Sequence, residues 1–335
     1  MKKIIIASAV MIVVLSVLML TLQKKAVPTT SPSGPTPVTI SMGYIPNVQF
    51  APFYVAEGQG FFTQRSVQVN LDYGMAPDLV QLVASGQRDF AITDGEQVLL
   101  GRAQGLPLVA VLALYPELPV SIVSLSSSGI TSPDDLTGKK IGIPGLYGSS
   151  YTGLLAYLDA TIGQDAATIE TIGYAQIEML TSGRVDAVVV FSNNEPVQLR
   201  ASGYSINELP IRDNVSLVGA ALITSEDMIN NSPDVVRSVV QALKQGMQYS
   251  INHVDDAFTT SVAQIPDLAE SGYAVQKQVL MASMQAWVDW QSIYEPSTLG
   301  ALDVARWTST RAVLQKLGLL QAGTQEDEAT DGQFL

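Results

Sequence analysis

The sequence predicts an α/β protein built from two similar lobes with a ligand cleft between them. One observation is a strand, loop and helix pattern, in which the apolar run Val38–Met42 precedes GYIPNVQFAPFYVAEGQGFF at residues 43–62. The other is an internal repeat, in which VASGQRDFAITD at residues 83–94 resembles LTSGRVDAVVVF at residues 180–191. Apolar strands that alternate with helical patterns are typical of α/β folds.

Composition limits the class of protein. The chain has 335 residues, 47% of them hydrophobic and 15% charged, which suggests two domains around a large core. A net charge of −13 argues against nucleic acid as a partner. The absence of cysteine excludes disulfides, thiol nucleophiles and a lipoprotein anchor, and the single histidine, His253, excludes a multi-histidine metal site. We therefore expect no metal and no cofactor.

The N-terminal residues 1–23 are predicted to be a signal or membrane anchor. Lys2 and Lys3 precede the apolar run Ile4–Leu22, which is about long enough to span a bilayer and longer than the roughly 7–15 residues usual in a cleaved signal. We favour an uncleaved anchor, and the alternative is a cleaved signal that leaves a secreted protein. Both place the body outside the cytoplasm. Residues 24–37 are rich in Pro, Thr and Ser and are predicted to be an extended linker.

The loop between the first strand and the first helix is a candidate ligand contact. In open α/β sheets, ligands bind beyond the carboxyl ends of strands, where a helix start offers free N–H groups. Tyr44, Asn47 and Phe50 lie at this junction and are the candidates. Phe53 and Tyr54 are expected to pack in the core instead.

The repeat predicts that two polar clusters meet across the cleft. Each copy ends a helical pattern at Ser-Gly, passes through Asp89 or Asp186, and enters an apolar strand. TDGEQ at residues 93–97 follows the first strand and SNNE at residues 192–195 follows the second. The candidate contacts from these clusters are Asp94, Glu96, Asn193 and Glu195. The carboxylate of Glu195 suits two N–H donors of a heterocycle, or it caps the helix that follows.

A further candidate is the loop PGLYGSSY at residues 144–151, between the predicted strand Lys139–Ile143 and the predicted helix Thr152–Thr161. N–H groups at a helix start can hold an anion or a carbonyl oxygen. The glycine spacing matches neither a Walker A motif nor a dinucleotide fingerprint. An ordinary turn is the alternative, but the concentration of hydroxyl and aromatic groups favours ligand contact by Tyr147, Gly148, Ser149, Ser150 and Tyr151.

The chain is predicted to cross between lobes twice. Val120–Leu125 is the strand near the first crossing, and Leu217–Thr224 is the strand that returns. The predicted first lobe therefore contains residues 38–122 and 222–335, and the second contains residues 123–221. Long helices are predicted over residues 274–290 and 299–317.

These motifs resemble the NMT1/THI5-like family over about residues 38–335. The resemblance lies in the opening strand, an aromatic residue, Pro-Asn, a helix that ends before a Gly-aromatic pair, and a final pair of Trp-bearing helices. It implies the type II periplasmic-binding-protein fold. It also implies a solute-binding component of an ABC importer with a monomeric body, whose partners are a small-molecule ligand and the permease and ATPase subunits.

The candidates also indicate a class of ligand. None of them is Arg or Lys, whereas an anionic ligand would be expected to require a cation. Aromatic side chains can stack on a planar ring, while amides and acids read its edge. Relatives in the resembling family bind riboflavin or the thiamine pyrimidine. The number of aromatics and the serine-rich loop favour riboflavin, and the pyrimidine precursor is the alternative.

An enzyme is the competing class, because pyrimidine synthases share this fold. In the resembling enzymes the reaction uses pyridoxal phosphate on a lysine, a nearby histidine and a Cys-rich iron motif. Residues 90–105 contain neither Lys nor His, and the chain contains no Cys. We therefore expect a binding protein rather than an enzyme.

Overall fold

Two five-stranded mixed sheets organise the chain in its computed structural model, which describes residues 34–74, 76–266, 268–288, 298–321 and 329–335. The strands of the first sheet are β1 Thr36–Met42, β2 Val67–Tyr73, β3 Phe90–Asp94, β4 Leu108–Ala113 and β10 Ala220–Ser225. The strands of the second are β5 Val120–Leu125, β6 Lys140–Ile143, β7 Thr168–Thr171, β8 Ala187–Phe191 and β9 Ile206–Pro210.

The two sheets follow the same plan. Their strand orders are β2-β1-β3-β10-β4 and β7-β6-β8-β5-β9. In the first, β1 is parallel to β2 and β3, while β10 is antiparallel to β3 and β4. In the second, β6 is parallel to β7 and β8, while β5 is antiparallel to β8 and β9. The central strands β3 and β8 carry the predicted repeat, so the two-lobed α/β fold is confirmed.

The repeated aspartates explain why the repeat is visible in the sequence. Asp89 accepts the N–H of Thr39 at 2.7 Å, and Asp186 accepts the N–H of Lys140 at 2.8 Å. Each carboxylate thus joins the start of a central strand to the neighbouring parallel strand. Three residues before each of these aspartates, a glycine in the left-handed conformation follows the end of a helix, with Gly86 at φ 71° and Gly183 at φ 68°.

The second sheet is built from five consecutive strands, whereas the first sheet takes its fifth strand, β10, after the chain has passed through the second. The chain leaves the first sheet after Ala113 and enters the second at Val120, then leaves after Pro210 and returns at Ala220. Each predicted lobe boundary, after residue 122 and after residue 221, therefore falls inside a strand. The whole of β5 belongs to the second sheet and the whole of β10 to the first.

Helices flank both sheets. They are α1 Ala51–Gly58, α2 Ala76–Ala84, α3 Gly95–Ala103, α4 Gly148–Thr161, α5 Gln176–Thr181, α6 Glu195–Ala201, α7 Glu226–Asn231, α8 Pro233–Asn252, α9 Val254–Val262, α10 Tyr273–Ala286 and α11 Val304–Lys316. The helix predicted from residue 299 begins later, because Asp303 caps it by accepting the N–H of Arg306 at 3.2 Å. Helix α4 begins four residues earlier than predicted, at Gly148.

The first helix is fixed by the core of the first lobe. Phe53 and Tyr54 on α1 are fully buried, as predicted. Helix α8 packs so closely against α1 that a Cβ on Gly246 would lie 2.2 Å from the Pro52 carbonyl oxygen. The end of β1 and the start of α1 are thereby held at one edge of the first sheet.

Helix α11 packs against both segments that connect the sheets. Trp307 and Leu314 belong to a core cluster of the first lobe, while Val313 and Leu317 pack against the core of the second. Its polar contacts with the connections and with α4 are Arg306 Nη1 to the Pro116 carbonyl (3.1 Å), Thr310 Oγ1 to the Val218 N–H (2.9 Å) and Lys316 Nζ to Asp159 Oδ2 (2.7 Å). This helix therefore braces the region around which the lobes would move.

The predicted N-terminal anchor and most of the linker lie outside the described residues, as does the C-terminal end of the helix predicted over residues 274–290. Among the residues that are described, none of the helices combines the length and apolar character that a membrane crossing needs.

Candidate functional site

A cavity lies between the two sheets, beyond the carboxyl ends of β1, β3, β6 and β8. The space between its walls is about 900 Å³ when the part that is open to solvent is included. Aromatic side chains form much of its wall, namely Tyr44, Phe50, Tyr115, Tyr147, Tyr174 and Phe191. The polar residues are Gln49, Thr93, Asp94, Ser149, Ser150, Gln176, Asn194 and Glu195. In the part of the chain that the structure describes, no Lys, Arg or His lines this cavity.

The structure brings eight of the predicted contact residues together at the cavity. These are Tyr44, Phe50, Asp94, Tyr147, Gly148, Ser149, Ser150 and Glu195. The two polar clusters therefore do meet across the cleft, through Asp94 from the first and Glu195 from the second.

The structure places four predicted residues outside the cavity wall. Asn47 accepts the N–H of Gln49 at 3.0 Å and caps a short 3₁₀ helix. Glu96 is buried on α3, behind the cavity. Tyr151 lies one turn into α4 and packs against the core of the second lobe. Asn193 is buried in a polar network between the lobes.

Asp94 reaches from the end of β3 to the first turn of α4 in the other lobe. Its Oδ2 accepts the Ser149 N–H at 2.9 Å, and its Oδ1 accepts the Ser149 hydroxyl at 2.9 Å. A Cβ on Gly148, which has φ 68°, would lie 2.8 Å from Asp94 Oδ2. The close approach therefore depends on glycine at this position.

Asn193 forms a second polar link between the lobes, deeper than the first. Its Nδ2 lies 2.8 Å from Gln49 Oε1, 3.2 Å from the Tyr115 hydroxyl and 2.9 Å from Ser283 Oγ. Burial raises the pKa of Tyr115, so its hydroxyl is neutral. Asn193 is only 1% exposed. It therefore holds the turn after β8 against three elements of the first lobe.

Glu195 is a cavity carboxyl whose protonation changes near neutral pH. It begins α6 and accepts the Phe191 N–H at 3.1 Å and the Asn194 side-chain amide at 2.9 Å. Burial raises the pKa of Glu195 to about 7, although these hydrogen bonds oppose the shift. The group can thus donate or accept a hydrogen bond at the edge of a ligand.

Tyrosines from both lobes meet at the mouth of the cavity. The rings of Tyr44 and Tyr174 contact edge to face, with centroids 5.1 Å apart and planes at 82°. Burial, followed by the charge of Glu195, raises the pKa of Tyr44. Burial and the neighbouring Tyr147 raise the pKa of Tyr174 to about 12. Tyr147 and Tyr174 remain partly exposed, so two phenol side chains border the opening.

A match to one family decides the identity of the chain. The family described as NMT1/THI5 like matches residues 47–257, which is more than half of the chain. The chain belongs to the NMT1/THI5-like family.

Named relatives in this family differ in what they are said to bind or make. The riboflavin-binding protein RibY of Chloroflexus aurantiacus is 33% identical over 96% of this chain and 96% of its own. The formylaminopyrimidine-binding protein of Halalkalibacterium halodurans is 27% identical over 66% of this chain and 68% of its own. A 4-amino-5-hydroxymethyl-2-methylpyrimidine phosphate synthase of Legionella pneumophila is 25% identical over 69% of this chain and 74% of its own.

Solved structures share the fold of this NMT1/THI5-like protein. The periplasmic aliphatic sulphonate binding protein SsuA of Escherichia coli superposes with a TM-score of 0.68 at 13% identity, covering 88% of this chain and 91% of that one. The fold is therefore that of periplasmic solute-binding proteins, as the resemblance implied.

Sequence reasoning missed several residues of the cavity wall. Tyr174 and Gln176 follow β7, and Tyr115 follows β4, so all three lie just beyond strand ends. The rule that identified Tyr44 and Asp94 would have found them if every strand end had been treated alike. Gln49 lies within the opening motif itself, but nothing in its spacing distinguished it from Asn47.

Proposed function

We propose that this protein is the solute-binding component of an ABC importer and that its ligand is riboflavin. The observation that carries the proposal is a cavity with six aromatic residues in its wall and, within the described residues, no cationic one. An isoalloxazine ring is flat, uncharged near neutral pH and edged with carbonyl, imide and ring-nitrogen groups. Such a ring suits contacts with aromatic faces and with the amide and carboxyl groups of Gln49, Asn194 and Glu195.

The charge of the cavity argues against the anionic ligands of structurally similar proteins. Asp94 and Glu195 are acidic. An anionic ligand buried beside them would add a further negative charge, which is unfavourable unless a cation compensates it. A sulfonate or nitrate would therefore lack a partner. The polyol chain of riboflavin, by contrast, needs neutral donors and acceptors of the kind that Ser150, Thr93 and Gln176 provide.

The importer role and the location form part of the same proposal. The family includes proteins named for solute binding, and the predicted N-terminal segment would attach the body to the outer face of the cell membrane. We propose that the body delivers its ligand there to permease and ATPase subunits. Hinge movement at residues 114–119 and 211–219, the two connections between the sheets, would open and close the cleft.

A pyrimidine precursor is the second candidate. Glu195 is placed to accept or donate at the edge of a small heterocycle, and one relative is named for binding formylaminopyrimidine. A single-ring ligand would fill less of the cavity than a three-ring flavin. The synthase activity named for other relatives has less support, because no Lys or His stands among the cavity residues that the structure describes.

Binding of riboflavin to the purified full-length protein would test the proposal. We expect saturable quenching of flavin fluorescence and a raised melting temperature, since a ligand at about a hundred times its dissociation constant stabilises the folded state by about 2.7 kcal/mol. The thiamine pyrimidine, taurine and nitrate would be compared at the same concentration. If only the pyrimidine stabilises the protein, the proposed ligand changes from riboflavin to the pyrimidine. If only taurine or nitrate stabilises it, the argument from the charge of the cavity is wrong.

A further inference from the structure

Helix α4, which has 14 residues, begins at the cavity wall. The carboxylate of Asp94 binds the first turn of this helix. A helix start carries unpaired N–H groups and a positive end of the helix dipole, which together favour negative groups. Here the N–H of Ser149 and its hydroxyl are both donated to the carboxylate of Asp94, each at 2.9 Å. The carboxylate comes from the opposite lobe, so it lies where an anionic group of a ligand bound in the cleft would otherwise be held.

The backbone on both sides fixes this arrangement. Gly148 has no Cβ that would collide with Asp94 Oδ2, and it adopts the positive φ that allows the chain to turn into α4. On the other side, a Cβ on Gly95 would lie 2.6 Å from a Val218 methyl group and 2.8 Å from the Gly219 carbonyl oxygen. The Gly95 N–H donates to that same carbonyl at 3.0 Å. The close packing of Gly95 thus restricts movement of the backbone that carries Asp94.

The charges around this position do not favour an anion. The cavity wall contains no cationic side chain in the described part of the chain. Glu96 lies behind Asp94, and burial together with the Asp94 charge raises the pKa of Glu96. Burial raises the pKa of Asp94 as well, but the two hydrogen bonds that it accepts from Ser149 oppose that rise and favour its carboxylate form.

We propose that Asp94 makes the cavity selective for uncharged ligands, because its carboxylate takes the Ser149 donors that an anionic group of a ligand would need. This inference deepens the proposed function and rests on it only for the identity of the preferred ligand. A phosphorylated form of that ligand would meet a like charge there, and the Ser149 donors would already be bonded to Asp94. Rejection of a wrong partner by such an unfavourable contact is a general source of specificity.

The test uses the full-length protein, the variant Asp94→Ala and inorganic sulfate as the probe. Removing the carboxylate frees the Ser149 donors, so Asp94→Ala is expected to gain a saturable rise in melting temperature with sulfate. Sulfate also stabilises proteins generally, because it is excluded from their surface. This non-specific rise in melting temperature will be common to the unchanged protein and all variants. Glu96→Gln is the matched control, because it removes a neighbouring carboxyl without touching Ser149, and it should behave like the unchanged protein. Asp94→Ser replaces Asp94→Ala if the latter does not fold.

A second measurement compares riboflavin with its 5′-phosphate. The unchanged protein is expected to prefer riboflavin by about a hundredfold, since the phosphate would place a like charge beside the Asp94 carboxylate. Asp94→Ala should reduce that preference by about tenfold or more. Equal sulfate responses in Asp94→Ala and the unchanged protein would overturn the inference. If only the Asp94 variants respond to sulfate, and neither the unchanged protein nor any variant binds riboflavin, the role of Asp94 is supported and riboflavin is rejected as the ligand.

Discussion

At the residue scale, Glu195 combines burial with a position on the cavity wall. The residue is 8% exposed, and its carboxyl accepts two hydrogen bonds within its own turn, from the Phe191 N–H and from the Asn194 side-chain amide. Because burial nevertheless raises its pKa to about 7, the folded protein retains a proton on Glu195 at a pH where the unfolded chain, with a value near 4.5, has released it.

Stability should therefore fall as the pH rises through this window. Between about pH 5 and about pH 8, the folded state binds more protons at this site than the unfolded state, so the free energy of unfolding decreases, by roughly 2 to 3 kcal/mol from Glu195. The glutamine side chain in Glu195→Gln does not titrate. The free energy of unfolding of this variant should therefore decrease less over the same pH range, by roughly that amount. Denaturant unfolding of both ligand-free proteins at the two pH values measures the difference. Parallel pH profiles would show that Glu195 is not the group responsible.

At the element scale, the repeated aspartates join equivalent pairs of parallel strands. Asp89 ties β3 to β1 and Asp186 ties β8 to β6, with nearly the same distance to the accepted N–H. Their surroundings differ, since Asp89 is half-buried and Asp186 is exposed. A hydrogen bond to a charged group contributes more where water competes less.

Asp89→Ala should consequently destabilise the protein more than Asp186→Ala. We expect a loss of about 1.5–3 kcal/mol in the free energy of unfolding for Asp89→Ala and less than about half of that for Asp186→Ala. Asp89→Asn and Asp186→Asn retain an acceptor oxygen and serve as controls that should lose less than the alanine variants. Chemical denaturation at neutral pH gives all four values. The reverse order for the two alanine variants would contradict the role assigned to burial.

At the scale of the whole molecule, two polar links join the lobes across the cleft. Asp94 bonds to Ser149 at the cavity, and Asn193 bonds to Gln49 and its neighbours in the buried network behind it. Both links would have to break for the cleft to open. Their strength therefore contributes to the fraction of molecules that are closed.

Asn193→Ala should weaken ligand retention more than ligand capture. Loss of the buried network is expected to raise the dissociation rate of riboflavin by about tenfold and to change the association rate little, because interface changes act mainly on dissociation. Stopped-flow flavin fluorescence measures both rates. Ser283→Ala removes one of the three neighbours of Asn193 and should have a smaller effect. An unchanged dissociation rate in Asn193→Ala would show that this network does not hold the lobes together.

Most of the fold could be predicted from the sequence, and about two thirds of the predicted site residues line the cavity. The strand Val120–Leu125 has the predicted bounds, because short apolar runs between turn residues are a strong local signal. Asn47, Glu96 and Asn193 could not be placed, because whether a polar side chain turns towards a cavity or towards a cap depends on helix starts that shift by a few residues. The pairing of Asp94 with Ser149 depends on contacts between distant segments, which no local pattern contains.

Under the proposed hinge movement, helix α11 would influence affinity without changing what the protein recognises. It touches both connections between the sheets and reaches α4 through Lys316 and Asp159, yet none of these residues lines the cavity. Apparent affinity depends on the fraction of molecules in the binding-competent arrangement as well as on contacts with the ligand. Substitutions along α11 could therefore adapt the protein to scarce or abundant ligand in different environments, while the cavity wall continues to set chemical selectivity.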